Sequence, residues 1–150
     1  MNTIKFQASL GIIPGYDHNN ESANFRKDVS MAHSMGNYDY NPNVPARTPT
    51  EIVGLVWQEE AKKQFDITGI YAGANIWEGK TVYHTEWGCP NGGEVTVQIS
   101  GEANPRFIEN MDLFKNVVLT VLENCAQILG QTTTQITFTT GEFHYIETNK

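Results

Sequence analysis

The chain has 150 residues, 39% hydrophobic and 18% charged, which is enough to bury a core and too apolar for a disordered polymer. Its formal net charge of −7 excludes general binding to nucleic-acid backbones, which needs a basic face. No stretch approaches the roughly 20 apolar residues of a membrane helix, and no signal peptide is visible. One soluble, cytoplasmic domain over 1–150 is the expectation.

Residues 3–13 alternate, with Ile4, Phe6, Ala8, Leu10 and Ile12 on one side and Lys5, Gln7 and Ser9 on the other. That is the period of a half-buried strand, and Pro14-Gly15 ends it. Residues 14–47 form a long polar loop without periodicity, with a short helix as one option over 24–35. Loops of this length in compact domains are commonly functional.

Thr48-Pro49-Thr50-Glu51 opens a helix, with Thr48 as cap, Pro49 in the first turn and Glu51 completing a capping box. Val53, Val56, Trp57, Ala61 and Phe65 form its buried stripe, and Glu59, Glu60, Lys62 and Lys63 face water. Residues 67–77 read as a strand in which Ala72-Gly73-Ala74 suggests that a helix, a ligand or another chain approaches closely. Glu78-Gly79-Lys80 reads as a hairpin turn, 81–87 as its partner strand, and 94–100 as a further strand. Residues 101–106 read as a polar loop. A second helix is predicted over 111–129, with Phe114, Val117, Val118, Val121, Leu122, Cys125, Ile128 and Leu129 as its stripe and Gly130 as terminator. A Thr-rich strand follows over 132–139. The order predicts an α+β fold: a ferredoxin-like antiparallel sheet, two helices on one face and an extra hairpin strand. The uncovered face favours a homo-oligomer.

Chemistry concentrates at 81–101. His84-Thr85-Glu86 followed by Cys89 matches only a fragment of the zinc deaminase signature, and a polar ladder is the plainer reading. Cys89 as a nucleophile needs a partner base, for which His84 is the nearest candidate; no family signature surrounds it. Cys89 and Cys125 are expected as free thiols. No catalytic set, metal or cofactor is assigned. What remains is a binding inventory: Trp77, Tyr83 and Trp87 for stacking, Asn91 and the adjacent glycines for amide contacts, and Arg106 for a phosphate. The plainer alternative makes the aromatics a second core or a subunit interface, and pairs Arg106 with Glu102 or Glu109.

The segments TEWGCPNGGEVTVQI and FKNVVLTVLENCAQILGQTTTQITF resemble the phage anti-Thoeris sponges. That resemblance implies a viral, anti-defence homo-oligomer in the host cytoplasm that sequesters cyclic ADP-ribose or a similar cyclic nucleotide without cleaving it. It also implies that Arg26 or Arg47 from a neighbouring subunit joins the pocket. The rival readings are a small ferredoxin-like enzyme acting on a small acid or nucleotide, with His84, Glu86 or Cys89 in its chemistry, and a structural interaction module.

Overall fold

The computed structural model describes residues 1–12 and 47–148. Strand β1 spans Asn2–Gly11, helix α1 Pro49–Thr68 and strand β2 Asn75–Thr81. A single 3₁₀ turn at Thr85–Trp87 precedes strand β3, Glu94–Glu102. Helix α2 spans Met111–Ile128 and strand β4 Gln135–Glu142. The sheet order is β2-β3-β1-β4 and all three pairings are antiparallel. This is the split βαβ arrangement of an α+β, ferredoxin-like domain.

The sheet and helices share one core. Phe6, Ala8, Leu10 and Ile12 of the first segment meet Val97 and Ile99 of β3 on the helix-covered face. Against them lie Ile52, Val53, Val56, Trp57 and Ala61 of α1, with Phe114, Val117, Val118, Val121, Leu122 and Cys125 of α2. The Phe6 ring stacks on Trp57 at 5.9 Å and packs on Phe114 at 6.2 Å. The Trp57 indole N–H donates to the Ala72 carbonyl at 2.8 Å, which lets its polar end be buried without loss.

The helix ends follow the sequence signals. The Thr48 hydroxyl accepts from the Glu51 amide at 3.3 Å and lies 3.0 Å from the Glu51 carboxylate, and Pro49 is the first helical residue. Thr48→Ala is expected to cost about 1 kcal/mol, a fall of roughly 2–4 °C in Tm for a chain of this size, readable by thermal denaturation. At the end of α2, Gly130 takes φ 69°, the left-handed conformation predicted for it.

The structure departs from the sequence reading in several details, among them Phe65, read into the buried stripe but 47% exposed, and Gly101-Glu102, read as loop but part of β3. Residues 69–74 are not a strand, because α1 continues through Thr68 and the Ala72 carbonyl serves Trp57 instead of a ladder. Glu78-Gly79-Lys80 is the middle of β2, not a turn. The extra hairpin strand over 81–87 is replaced by an irregular segment and the 3₁₀ turn, leaving four strands among the described residues. Glu60 is 5% exposed rather than solvated, and its carboxylate holds Lys63 at 2.8 Å. That hydrogen bond, with the charges of Glu60 and Glu59, raises the Lys63 pKa against the opposing cost of burial. The short helix option at 24–35, and all of 13–46, lie outside the described residues.

Both cysteines are free and buried. Burial pushes the Cys125 thiol far above its usual range, with Glu60 adding to the shift, so it stays protonated. It acts as a small apolar side chain in the core.

Candidate active site

The helices cover one face of the sheet, and register fixes what the other face carries. Ser9 pairs with Gln98 and with Gln135, Gly11 with Thr96, Gly79 with Thr96, and Thr81 with Glu94. Directly opposed residues point to the same side, so this open face is a polar array of hydroxyls and amides. The Thr81 and Thr96 hydroxyls lie 2.8 Å apart, and the Gln98 amide donates to Ser9 at 3.1 Å and to Thr96 at 3.0 Å.

At one end of that face lies a cleft of about 420 Å³. Its floor is Ser9, Gly11, Thr81, Glu94 and Thr96 from three strands. Tyr83 and Trp87 from the β2–β3 connection form one wall. Gln131, Thr133, Thr134 and Gln135 from the approach to β4 form the other. The volume falls in the usual range for small-ligand clefts. Among the described residues, Glu94 is the one in this lining with a formal charge at neutral pH. A Cβ on Gly11 would stand 2.5 Å from Gln131 Oε1, the far end of a flexible side chain, so Gln131 would have to swing aside to admit one.

The β2–β3 connection is a braced loop rather than a strand. Trp87 N–H donates to His84 O at 2.9 Å, and Gly88 N–H to Thr85 O at 3.1 Å. Gly88, Gly92 and Gly93 all adopt positive φ, and Gly93 N–H closes onto Pro90 O at 2.9 Å. Cys89 is 5% exposed, with its sulfur 3.5 Å from the Tyr83 amide and 3.3 Å from the Pro90 carbonyl. It ties the loop to its own backbone. His84 instead accepts from the Glu86 amide through Nδ1 at 3.1 Å and packs on the Trp87 ring, so no Cys89–His84 pair forms. Among the described residues, no group of three or more His, Cys, Asp or Glu could hold a metal ion.

The candidate binding residues divide. Tyr83 and Trp87 line the cleft. Trp77 lies on the open face opposite Gln98, 42% exposed, but outside the cleft. Asn91 is exposed in the turn before β3. Arg106 follows the far end of β3, roughly 27 Å along the strand at about 3.3 Å per residue. There it pairs with Glu147 at 2.8 Å, rather than Glu102 or Glu109, and lies 4.5 Å from the Tyr145 ring centroid. The sequence reading that gathers Arg106 with Tyr83 and Trp87 within one subunit is therefore corrected by strand direction. Arg47 lines a separate groove of about 620 Å³ beside α1, with Glu51, Trp57 and Tyr71. Arg26 lies outside the described residues.

Glu94, Gly11 and Gln131 were not singled out from the sequence. Alternation within β3 carried a signal for Glu94, because Val95, Val97 and Ile99 assign it to the opposite face. Gly11 and Gln131 carried none, since only tertiary structure brings them together.

The SAM lyase family model matches residues 1–147. The chain belongs to the SAM lyase family. No curated protein and no solved structure matches it. Family membership overturns the resemblance to anti-Thoeris sponges, and with it the non-enzymatic sequestering function and the anti-defence reading. The resemblance rested on style and architecture, which one ferredoxin-like scaffold lends to unrelated functions. The rival reading, a small ferredoxin-like enzyme acting on a small acid or nucleotide, fits the family better. No helix among the described residues is long and apolar enough to cross a membrane.

Proposed function

We propose that this SAM lyase family member cleaves S-adenosylmethionine in the cleft beside Tyr83, Trp87 and Glu94. The observation that carries the reading is the family match over residues 1–147. The chemistry of the lining supports it. S-Adenosylmethionine combines a purine, a sulfonium cation and an α-ammonium cation. Aromatic faces suit the purine and the cations, and a carboxylate suits the cations.

A lyase breaks the carbon–sulfur bond without water. The sulfonium is already an activated leaving group, so the substrate's own carboxylate can serve as nucleophile. One carboxylate oxygen bonds to Cγ as the Cγ–S bond breaks, and the electron pair passes to sulfur. The products are neutral 5′-methylthioadenosine and the five-membered lactone of homoserine. Atoms and charge balance with no proton transferred and no cofactor consumed. Such a reaction asks the protein to bend the substrate and exclude water, not to supply a nucleophile. It fits a cleft lined by hydroxyls, amides and rings, with no lysine or arginine among the described lining residues to pin the substrate carboxylate.

Opposite charges cancel as the transition state forms, which a cleft drier than bulk water favours. Glu94 is best used on the α-ammonium, because that charge persists throughout. A carboxylate tied to the sulfonium would stabilise the ground state more than the transition state. We place the enzyme in the cytoplasm, where its substrate is made and consumed. Incubating purified protein with S-adenosylmethionine should release 5′-methylthioadenosine, read by chromatography and mass. Unchanged substrate after prolonged incubation at high enzyme concentration would remove the proposal.

A further inference from the structure

Trp87 lines the cleft yet is 74% exposed, so a large apolar ring is held out in water. Burial does not hold it there; the local loop does. His84 contributes two contacts to that loop. Its Nδ1 accepts the Glu86 amide at 3.1 Å, capping the 3₁₀ turn, and its ring lies 5.5 Å from the Trp87 ring at 38°. Nδ1 as acceptor requires the proton on Nε2, so the neutral imidazole is the form that caps. His84 itself is exposed and does not line the cleft.

From this arrangement we infer that His84 is a positioning residue: it props Trp87 as the platform on which the substrate's purine stacks. The inference rests on the lyase reading and deepens it, giving a binding role to a residue that touches no substrate. An unpropped ring samples many rotamers, and ordering it on binding costs affinity that a pre-set ring keeps. Asparagine retains a neutral acceptor suited to a cap while losing the ring contact.

The test measures binding apart from turnover. Calorimetric Kd values for 5′-methylthioadenosine are taken on wild type, His84→Ala, His84→Asn, Trp87→Ala and the double Ala variant, with steady-state kinetics on S-adenosylmethionine beside them. Loss of one stacked base corresponds to about a tenfold rise in Kd for Trp87→Ala. His84→Ala should raise Kd by about three- to tenfold and raise KM in step, while kcat stays within about twofold. His84→Asn should recover part of the loss, and the double variant should bind no worse than Trp87→Ala alone. If the two losses multiply, or if His84→Ala binds as wild type does, the inference is overturned while the lyase reading stands. A wild type that neither binds the thioether nucleoside nor consumes S-adenosylmethionine overturns both.

Discussion

Glu94→Gln is expected to lower kcat/KM for S-adenosylmethionine by about 30- to 100-fold, equivalent to roughly 2–2.7 kcal/mol of transition-state stabilisation. Glu94 opens β3 opposite Thr81 and is the one formally charged residue lining the cleft among those described. Glutamine keeps its volume and hydrogen-bonding reach but removes the charge that pairs with a substrate cation. The residue is half-buried, so the loss belongs at the lower end of the range for desolvated charge pairs. The split between constants identifies which cation it holds. Loss of an ammonium anchor frees the amino-acid tail to turn its carboxylate away from Cγ, and kcat falls with kcat/KM. Loss of a sulfonium partner removes ground-state stabilisation, so KM rises while kcat holds or increases. Steady-state kinetics separate the two, and an unchanged kcat/KM removes Glu94 from the site.

Gly101→Val should be the most damaging single change to the fold. Gly101 pairs with Phe6 between β3 and β1 on the core face. A Cβ there would stand 2.5 Å from the Gly73 carbonyl oxygen and 2.7 Å from the Phe6 ring. Neither neighbour can retreat easily: one is backbone, and the other is stacked on Trp57 and packed on Phe114. Overpacking of this kind costs about 3 kcal/mol or more, a drop of roughly 6–12 °C in Tm for a chain of this size. Gly73→Ala is the control. A Cβ on Gly73 meets nothing within 4 Å, so thermal denaturation should show little change. Equal losses in the two variants would contradict this account of the packing.

That pair of glycines shows where the sequence is informative and where it stops. The run Ala72-Gly73-Ala74 suggests the approach of a helix, ligand or another chain, yet a Cβ on Gly73 meets nothing within 4 Å. What approaches is the Gly73 carbonyl toward Gly101, and the residue that must lack a side chain is Gly101, which reads as part of a polar loop. The helix starts and the α2 stripe were legible because their signals are local: Thr48 and Pro49 at one start, a stripe at three and four through α2, and Gly130 at its end; the second half of α1, where Glu60 is buried and Phe65 exposed, was not. Nor was the stretch from Ile67 to Trp87. Ile70, Ala72, Ala74 and Ile76 alternate as a strand would, but a tertiary hydrogen bond from Trp57 claims the Ala72 carbonyl. Glu78-Gly79-Lys80 has turn composition, but β2 runs straight through it, with the Gln98 side chain 3.1 Å from where a Cβ on Gly79 would be.

The candidate site divides on the same principle. Tyr83 and Trp87 stand out as aromatics in a stretch that reads as a strand; the structure makes it an irregular loop, and both line the cleft. Arg106 follows soon after in sequence, yet an antiparallel strand carries it to the opposite end of the sheet, where Glu147 and Tyr145 engage it. Glu94 reads as an ordinary solvent-facing strand residue until Thr81, Gly11 and Gln131 are seen around it. The proposed lyase chemistry calls for no metal cluster, activated thiol or phosphate loop, because in it the nucleophile and the leaving group both belong to the substrate.

The most direct test of that chemistry is cleavage of S-adenosylmethionine in water enriched in oxygen-18, with early products analysed by mass spectrometry. Intramolecular attack predicts 5′-methylthioadenosine together with homoserine lactone carrying no label. Homoserine labelled in its hydroxyl group would show that water, not the substrate's own carboxylate, breaks the carbon–sulfur bond, and would contradict the proposed lyase mechanism.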